Sequence, residues 1–308
     1  MSHKHASTTT LAVIAAILGA TAEALYAPLS KVVIVDTGVL MSLAFTFFGA
    51  GAGMMLVLLF GRKSKAVCDP ARHLRKKDAG KLAGIILLTA LANLLFFLGL
   101  ALESAGTVSL LRNIGTVATV IFAAILLHEK ISRPIGIGVT LIVLGSALLS
   151  FTNFSTFSYS PGSLFIIGSG IAFGALYTVM KLLADRNMVE CAAIRGFGVG
   201  ILALIAAFCF GEQLPSLPSM FGLMAVGFIS CGLSAMFLMY GQRHLGSAKA
   251  GAIYGLYPLF GVILAFLLLG EMPSGASAVA LLFFLPGMFL ILRENLRTPP
   301  EKSDPDKK

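Results

Sequence analysis

The stretch Leu126-Leu127-His128-Glu129 recurs later in the chain as Leu268-Leu269-Gly270-Glu271. In both places the motif ends one apolar run and precedes another of membrane-spanning length. Aligning the two glutamates also sets Arg112 opposite Tyr254. A self-match that extends over several such segments indicates an internal repeat, so the chain is predicted to be a duplication.

The composition excludes a soluble globular protein. Of the 308 residues, 57% are hydrophobic and only 12% are charged, and the mean hydropathy is +0.92. Soluble domains carry about a quarter charged residues, so we predict an integral membrane protein. A helix needs about 20 apolar residues to cross a bilayer. The sequence holds ten such runs, at 10–34, 38–60, 80–101, 105–127, 134–151, 162–183, 190–211, 218–240, 249–269 and 275–292.

The net charge of +9 is concentrated in alternate connections between these runs. The loop at 62–81 is the most basic, and the tail at 293–308 is also rich in lysine. Cytoplasmic loops carry the excess of Lys and Arg, so we expect residues 1–9 and the tail to be cytoplasmic. The tail is also predicted to be disordered. The expected location is the cell membrane. The same placement explains the charge without a nucleic-acid partner. Near the surface, basic side chains can also contact anionic membrane lipid.

An odd number of spans in each half fixes the relation between the halves. With five spans in 10–151 and five in 162–292, the second half must insert upside down. The predicted fold class is therefore an all-α integral membrane protein with ten transmembrane helices arranged as two inverted five-helix repeats. Glu129 would lie at the cytoplasmic end of its helix and Glu271 at the outer end of its own, as terminal caps or gate contacts.

Chemistry other than transport has little support in the sequence. The four cysteines lack metal-ligand or disulfide spacing and are expected to be free thiols, and the five histidines all map to the cytoplasmic side. There is no clustered His, paired Asp or Ser with a base at membrane depth. We therefore predict that the protein is not an enzyme and has no metal site and no cofactor.

Two charged residues lie well inside predicted spans. Arg112 is in the fourth span, where a charge costs on the order of 2.5 to 3.5 kcal/mol at the helix centre, so it either snorkels to the outer headgroups or faces a cavity. Glu23 lies slightly beyond the middle of the first span. The two depths differ by roughly 6 Å at 1.5 Å per residue, which an arginine side chain can bridge. A functional pair, a purely structural pair and an unpaired, proton-exchanging Glu23 all remain open.

Further polar and aromatic residues at membrane depth complete a predicted substrate pathway. Ser109, Arg112, Thr116 and Thr119 recur at helical spacing and are expected to share one helix face. Pro28 and Pro258 are predicted to kink the first and ninth spans. Tyrosines can bind a ligand or pack, and asparagines can bind substrate or link helices. The candidate pathway residues are Glu23, Tyr26, Asn93, Arg112, Asn113, Thr116, Tyr177, Tyr254 and Tyr257.

The five-plus-five arrangement, with Leu-Leu-x-Glu after the fourth and ninth spans, resembles the drug/metabolite transporter superfamily, EamA type. Ser104-Ala105, Ser247-Ala248 and Tyr257-Pro258 match the same pattern, and the resemblance covers residues 10–292. It implies a carrier that works by alternating access, often an exporter of metabolites such as amino acids. The sequence departs from the pattern at Thr116, which replaces a proline, and at Arg112, which is an added charge.

The resulting hypothesis is a secondary active transporter of a small polar or zwitterionic metabolite such as an amino acid. Arg112 would hold an anionic group, and Glu23 would couple to protons or balance Arg112. The expected partners are membrane lipid, the small-molecule substrate and protons, while a homodimer and the direction of transport stay open. The alternatives are a nucleotide-sugar or sugar-phosphate carrier, which would need more than one buried cation, and a non-transporting membrane scaffold.

Overall fold

The computed structural model of the chain describes residues 2–34, 37–61, 73–126, 132–153, 158–181, 183, 186–245, 253–272 and 275–297. These residues are almost entirely helical. The α-helices are α1 Ser2–Ala24, α2 Tyr26–Val33, α3 Val39–Phe60, α4 Ala79–Leu102, α5 Ala105–Leu111, α6 Ile114–Leu126, α7 Arg133–Ser150, α8 Pro161–Lys181, α9 Met188–Cys209, α10 Leu217–Val226, α11 Ser234–Leu245, α12 Tyr257–Leu269 and α13 Gly275–Arg297. A 3₁₀ helix (Lys76–Asp78) and a π-helix (Gly227–Leu233) complete the helical elements.

Seven helical stretches within the described ranges are long and apolar enough to cross a membrane. They are Thr10–Val33, Val39–Phe60, Lys76–Leu102, Ala105–Phe122, Pro161–Met180, Val189–Cys209 and Leu217–Leu238. Three shorter apolar helices, Arg133–Leu148, Tyr257–Leu269 and Ser277–Ile291, lie where the fifth, ninth and tenth spans are predicted. The prediction of a multi-pass helical membrane protein is therefore confirmed, and lipid contact follows from it. We number the spans by these ten positions.

One element departs from the all-helical prediction. Strands β1 (Phe151–Asn153) and β2 (Ser158–Tyr159) form an antiparallel ribbon between the fifth and sixth spans, with Phe151 paired to Tyr159 and Asn153 to Ser158. The ribbon lies at the predicted boundary between the halves. Glu129, most of the basic loop and the tail from residue 298 lie outside the described residues.

The main packing contacts join one half of the chain to the other. Helix α3 packs on α9, α4 on α8, α7 on α13, α1 on α11 and α5 on α12. Small residues allow the closest approach, as expected for helices in a membrane. At Gly49 and Gly227 there is no room for a Cβ, because the backbone of Met224 and of Thr46 lies directly against them. The second and eighth spans therefore cross with their backbones in contact.

Four of the numbered spans lose regular α-helical structure partway along their length. The first is interrupted at Leu25 and the fourth at Arg112 and Asn113, while the ninth turns just before Tyr257. The eighth passes through the π-helix, a feature that often marks functional sites. Discontinuous helices of this kind are characteristic of transporter binding sites.

Proline accounts for two of the interruptions. The break in the first span lies one turn before Pro28, which has no N–H to donate to the carbonyl of Ala24. Pro258 follows the break in the ninth span in the same way and stands in the first turn of α12. These are the two prolines at which kinks are predicted.

The fourth span breaks without a proline. Here the amides of Asn113 and Gly115 donate to the carbonyls of Leu110 and Arg112, three residues earlier instead of four. This tightening ends α5 and restarts the chain as α6. The prediction of one continuous helix face through Ser109, Arg112, Thr116 and Thr119 is therefore wrong. Ser109 instead faces the ninth span, and Thr119 bonds to the carbonyl of Gly115 in its own helix.

Candidate functional site

The breaks in the first and fourth spans bring the two membrane-embedded charges together. Arg112 Nη2 donates to Glu23 Oε1 at 2.6 Å, and both residues are buried, with exposures of 4% and 9%. Arg112 therefore points into the protein and does not snorkel to the headgroups. Each charge offsets the desolvation of the other, which is how charged groups persist at membrane depth.

The second carboxylate oxygen of Glu23 is held by the eighth and ninth spans. Tyr254 Oη donates to Glu23 Oε2 at 3.0 Å, and Ser234 Oγ donates to the same oxygen at 3.3 Å. Ser234 and Tyr254 also lie 2.7 Å apart, within hydrogen-bond distance. Glu23 is thus bound by groups from three other spans. Sequence reasoning missed Ser234, because its contact depends on which way the π-helix turns the eighth span.

The guanidinium of Arg112 lies inside a cage of aromatic rings. Its Cζ is 5.5 Å from the ring centre of Tyr26, 5.3 Å from Phe96, 5.5 Å from Phe173 and 5.0 Å from Tyr257. These rings come from the first, third, sixth and ninth spans, and such cation–π contacts stabilise a desolvated cation. Phe96 and Phe173 are absent from the predicted pathway because a phenylalanine in an apolar run looks like ordinary core.

The buried asparagines play different structural parts. Asn93 Oδ1 accepts from Tyr26 Oη at 2.9 Å, and its amide donates to the carbonyl of Thr89. It therefore positions Tyr26, which also stacks on Phe96 at 4.5 Å. Asn113 is 1% exposed, and its Nδ2 has no hydrogen-bond partner within the part of the chain that the structure describes. The same holds for Arg112 Nε. Two buried donors beside the ion pair could thus take an acceptor from a ligand.

The other predicted residues lie around this centre. Thr116 is half-buried, one turn beyond Arg112. Tyr177 is 42% exposed and stacks on Phe173 at 5.9 Å, so it borders the aromatic cage from outside. Tyr257 belongs to the cage, and Tyr254 contacts Glu23. Within the described residues, no group of His, Cys, Asp or Glu could hold a metal ion.

Glu271 lies away from the centre, at the predicted outer face. Its Oε2 accepts from the amide of Gly106 at 3.1 Å, so it caps the first turn of α5 in the other half of the chain. A cavity of about 190 Å³ lies beside it, lined also by Ser104, Thr107 and Ser277. Glu271 therefore stabilises a helix end across the two halves, and Glu129, its repeat mate, is outside the described residues.

Polar contacts also tie the spans together at both ends. At the predicted outer face, Lys31 Nζ donates to the carbonyl of Glu103 at 2.6 Å, and Glu212 accepts from the amide of Met41 at 2.8 Å. At the predicted cytoplasmic face, Arg186 pairs with Asp78 at 2.9 Å. Each contact joins residues predicted to lie on the same side. Contacts between spans thus occur on both sides of the ion pair.

Two known proteins each match about two thirds of the chain. An "Uncharacterized transporter" of Methanothermobacter thermautotrophicus is 29% identical over 221 residues, which are 67% of this chain and 64% of that protein. The match thus spans slightly less than two thirds of that relative. A "Probable terminal-alkyne amino-acid exporter" of Streptantibioticus cattleyicolor is 25% identical over 207 residues, which are 66% of this chain and 69% of the exporter.

The fold and the family profile agree with these relatives. A crystal structure that is 18% identical in sequence superposes with a TM-score of 0.65, covering 95% of this chain and 99% of the other, and so shares the fold. The sequence profile of the EamA-like transporter family matches residues 10–151 and again residues 160–293. Since the two matches cover most of the sequence, the chain belongs to the EamA-like transporter family.

Proposed function

We propose that this protein is a secondary active transporter, working by alternating access, that exports a small zwitterionic metabolite such as an amino acid across the cell membrane. The observation that carries the proposal is the Glu23–Arg112 pair, which lies buried where interrupted spans of both halves meet. A membrane protein that places opposite charges side by side at this depth has a polar centre suited to a ligand of both charges.

The architecture we propose is ten spans in two inverted repeats, with both termini cytoplasmic. The packing supports it, because exchanging the two halves reproduces the same contacts. Exchanging the halves replaces each span by the one five places away. The contact of the third span with the sixth then becomes that of the eighth with the first, and the contact of the fourth with the sixth becomes that of the ninth with the first; both members of each pair are present. The second–seventh, fourth–ninth and fifth–tenth contacts are unchanged by the exchange. A two-fold relation between the halves produces this pattern.

The chemistry of the centre favours a zwitterion. A substrate carboxylate can bind Arg112 and the unpartnered amide of Asn113, while a substrate ammonium binds Glu23. Separating a buried ion pair costs about 3 to 5 kcal/mol when one partner is left uncompensated. A neutral sugar has no charges to offset that cost. An amino acid has a carboxylate for Arg112 and an ammonium group for Glu23. The named exporter of an amino acid among the relatives agrees with this choice.

Glu23 gives the proposed route to proton coupling. When a substrate carboxylate takes Arg112, the carboxylate of Glu23 loses its cation and can bind either a proton or the substrate ammonium. Two ligands that compete for one carboxylate are exchanged across the membrane if the site opens to one face at a time. The interrupted spans supply hinges for that change, and the polar contacts at the two ends would open alternately.

The test is a thermal-shift screen of the purified protein against amino acids, organic acids, sugars and nucleosides, since a ligand of the folded state raises its stability. We expect amino acids to raise the melting temperature. The double variant Glu23→Gln, Arg112→Gln removes both charges together and should abolish the shift. If a ligand stabilises this variant as strongly as the wild type, the ion pair is not the substrate site.

Transport itself is measured with the ligand found in that screen. In proteoliposomes, saturable uptake with counterflow is expected, which would exclude a channel and a passive scaffold. Accumulation should follow an imposed pH gradient. Uptake that ignores the gradient would contradict proton coupling while leaving the carrier function intact.

A further inference from the structure

Four hydroxyl groups between the first, second and eighth spans are fully buried and have no hydrogen-bond partner within the described residues. They belong to Ser30, Ser42, Thr46 and Ser230, each with 0% exposure. A buried hydroxyl without a partner is costly, and in a polar, close-packed region its usual partner is an internal water molecule.

Other threonine hydroxyls in these helices do have a hydrogen-bond partner. Thr89, Thr119 and Thr178 each donate to the carbonyl four residues earlier in their own helix, at 2.6 to 2.9 Å. Thr21 and Thr140 do the same. Thr46, also inside an α-helix, makes no such bond within the described residues.

The hydroxyls occur along the second and eighth spans, which meet near Glu23. Ser42 and Thr46 are four residues apart on the second span, and the backbone of Thr46 lies against Gly227 of the eighth. Ser230 follows Gly227 by three residues in the π-helix, and Ser234, four residues further on, donates to Glu23. On the α-helix of the second span, residues four apart such as Ser42 and Thr46 lie about 5 to 6 Å apart, a distance that one water molecule bridges.

At the outer end of this set of hydroxyls lies a carboxylate. Glu212 is half-buried at the predicted outer face and accepts from the amides of Leu40 and Met41, next to Ser42 in the sequence. Toward the cytoplasm the character of the first span changes. There the buried face carries Ala12, Ala16 and Ala20, all with 0% exposure. Among the described residues of the first span, the buried polar side chain beyond Glu23, Ser30, thus lies on its outer side.

We propose that water molecules held by Ser42, Thr46 and Ser230 connect Glu23 to the outer face of the membrane and form the path by which protons reach it. The inference rests on the proposed function, since it assigns a role to proton exchange at Glu23. The proton would pass from outer water, near Glu212, along the hydroxyls and waters to Glu23 Oε2. The step needs no other reactant, because each hydroxyl that accepts a proton releases one.

The groups around Glu23 set what that proton does. Of the charged groups, Arg112 pairs directly with Glu23. Arg195 of the seventh span interacts electrostatically with Tyr177 and Cys231, which also interact with Glu23. Within the described residues, the other titratable groups that interact with Glu23 are neutral in their ordinary forms: Tyr26, Tyr177, Cys231, Tyr254 and Tyr257. A proton that arrives at Glu23 therefore competes with Arg112 for the carboxylate.

The first experiment measures water access and does not depend on transport. The four native cysteines are replaced by serine, and Thr46→Cys or Ser230→Cys is treated with silver ions in right-side-out and inside-out membrane vesicles. The blocked thiol is quantified by maleimide labelling after denaturation. Ala16→Cys, equally buried on the other side of Glu23, and Thr178→Cys, at a self-bonded position, are the matched controls.

We expect the two path cysteines to react about tenfold faster than the controls, because a thiol in contact with water ionises and a dry one does not. The faster reaction should occur in right-side-out vesicles. Equal rates at all four positions, or faster reaction from the inner side, would overturn the proposal.

The second experiment follows the proton itself by infrared spectroscopy of the full-length wild-type chain. The carbonyl band of protonated Glu23 is identified by its loss in Glu23→Gln, and its exchange in heavy water is timed. Thr46→Val and Ser230→Ala should each slow the exchange about tenfold, since one hydrogen bond to a relay water is lost. Thr178→Val should leave the rate unchanged.

The outcomes separate this inference from the function it rests on. Unchanged exchange in Thr46→Val and Ser230→Ala would overturn the path while leaving proton coupling of the carrier standing. If no Glu23 band appears at any pH, the proton role fails for both the path and the coupling. An amino-acid carrier without proton coupling would then remain, and the thermal-shift screen would still identify its ligand.

Discussion

The first and sixth spans begin from one motif and use it differently. Ala24-Leu25-Tyr26 in the first span takes the place of Ala175-Leu176-Tyr177 in the sixth. The first span is interrupted at Leu25, whereas the sixth runs unbroken as α8. Tyr26 is 1% exposed and bonded to Asn93, while Tyr177 is 42% exposed. One copy of the motif became part of the polar centre, and the other became a straight helix beside it.

The residue three positions before each tyrosine explains the difference. In the first span it is Glu23, and in the sixth it is Gly174, which lies directly against the backbone of Ala118. One position carries the charge that Arg112 needs, and the other lets the sixth span approach the fourth closely enough to bring Phe173 over Arg112. Both departures from symmetry therefore serve the same ion pair.

Copying the charge into the sixth span should have the largest effect. In Gly174→Glu the Cβ meets the backbone of Ala118 and an uncompensated carboxylate is buried, so overpacking adds to the cost of an unpaired charge. We expect a loss of more than about 5 kcal/mol in unfolding free energy, and little folded protein. Thermal unfolding in detergent measures this. Gly84→Glu, where the added Cβ meets nothing within 4 Å, is the control, and equal stability of the two variants would contradict the packing described.

Removing the partner of Glu23 should rank second. Arg112→Met leaves the buried carboxylate of Glu23 without a cation and is expected to lower the unfolding free energy by about 3 to 5 kcal/mol. The double variant Glu23→Gln, Arg112→Met should recover much of that loss, because the two residues are coupled. A double variant as unstable as the sum of the two single variants would show that the pair contributes no coupling energy.

The two tyrosines of the motif should respond unequally to the same change. Tyr26→Phe removes the donor to Asn93 and leaves a buried acceptor unsatisfied, which costs about 1 to 2 kcal/mol. Tyr177→Phe, at an exposed position, should change the unfolding free energy by less than about 0.5 kcal/mol. The melting temperatures of the two variants, measured side by side, give the comparison. A larger effect at Tyr177 would contradict the conclusion that Tyr26, and not Tyr177, is part of the polar centre.

The smallest effect is expected where the repeats are most alike. Glu271→Gln weakens the cap on the amide of Gly106 and should cost about 0.5 to 1 kcal/mol. If the repeat is inverted and symmetric at its ends, Glu129→Gln should cost the same. Glu301→Gln in the C-terminal tail serves as the control. Denaturant titrations measure the loss of unfolding free energy. Unequal losses for Glu271→Gln and Glu129→Gln would show that the two Leu-Leu-x-Glu motifs have different structural roles.

Much of the architecture could be predicted from the sequence, because hydropathy and loop charge report directly on the bilayer. The apolar runs, the internal repeat and the proximity of Glu23 to Arg112 were within reach in this way. The interruption of the fourth span was not, because Thr116 stands where the family pattern has a proline, the residue type that marks such a break. Ser234 could not be assigned either, since the π-helix shifts the face that the eighth span presents to Glu23.

The cap that Glu271 places on α5 has a consequence for how the protein is made. The amide of Gly106 emerges from the ribosome and enters the membrane long before its acceptor has been synthesised. Likewise, the amide of Met41 is synthesised before its acceptor, the carboxylate of Glu212. The first half of the chain must therefore exist for a time with these helix ends unsatisfied by their protein partners, and the last of these contacts cannot form until translation has passed residue 271.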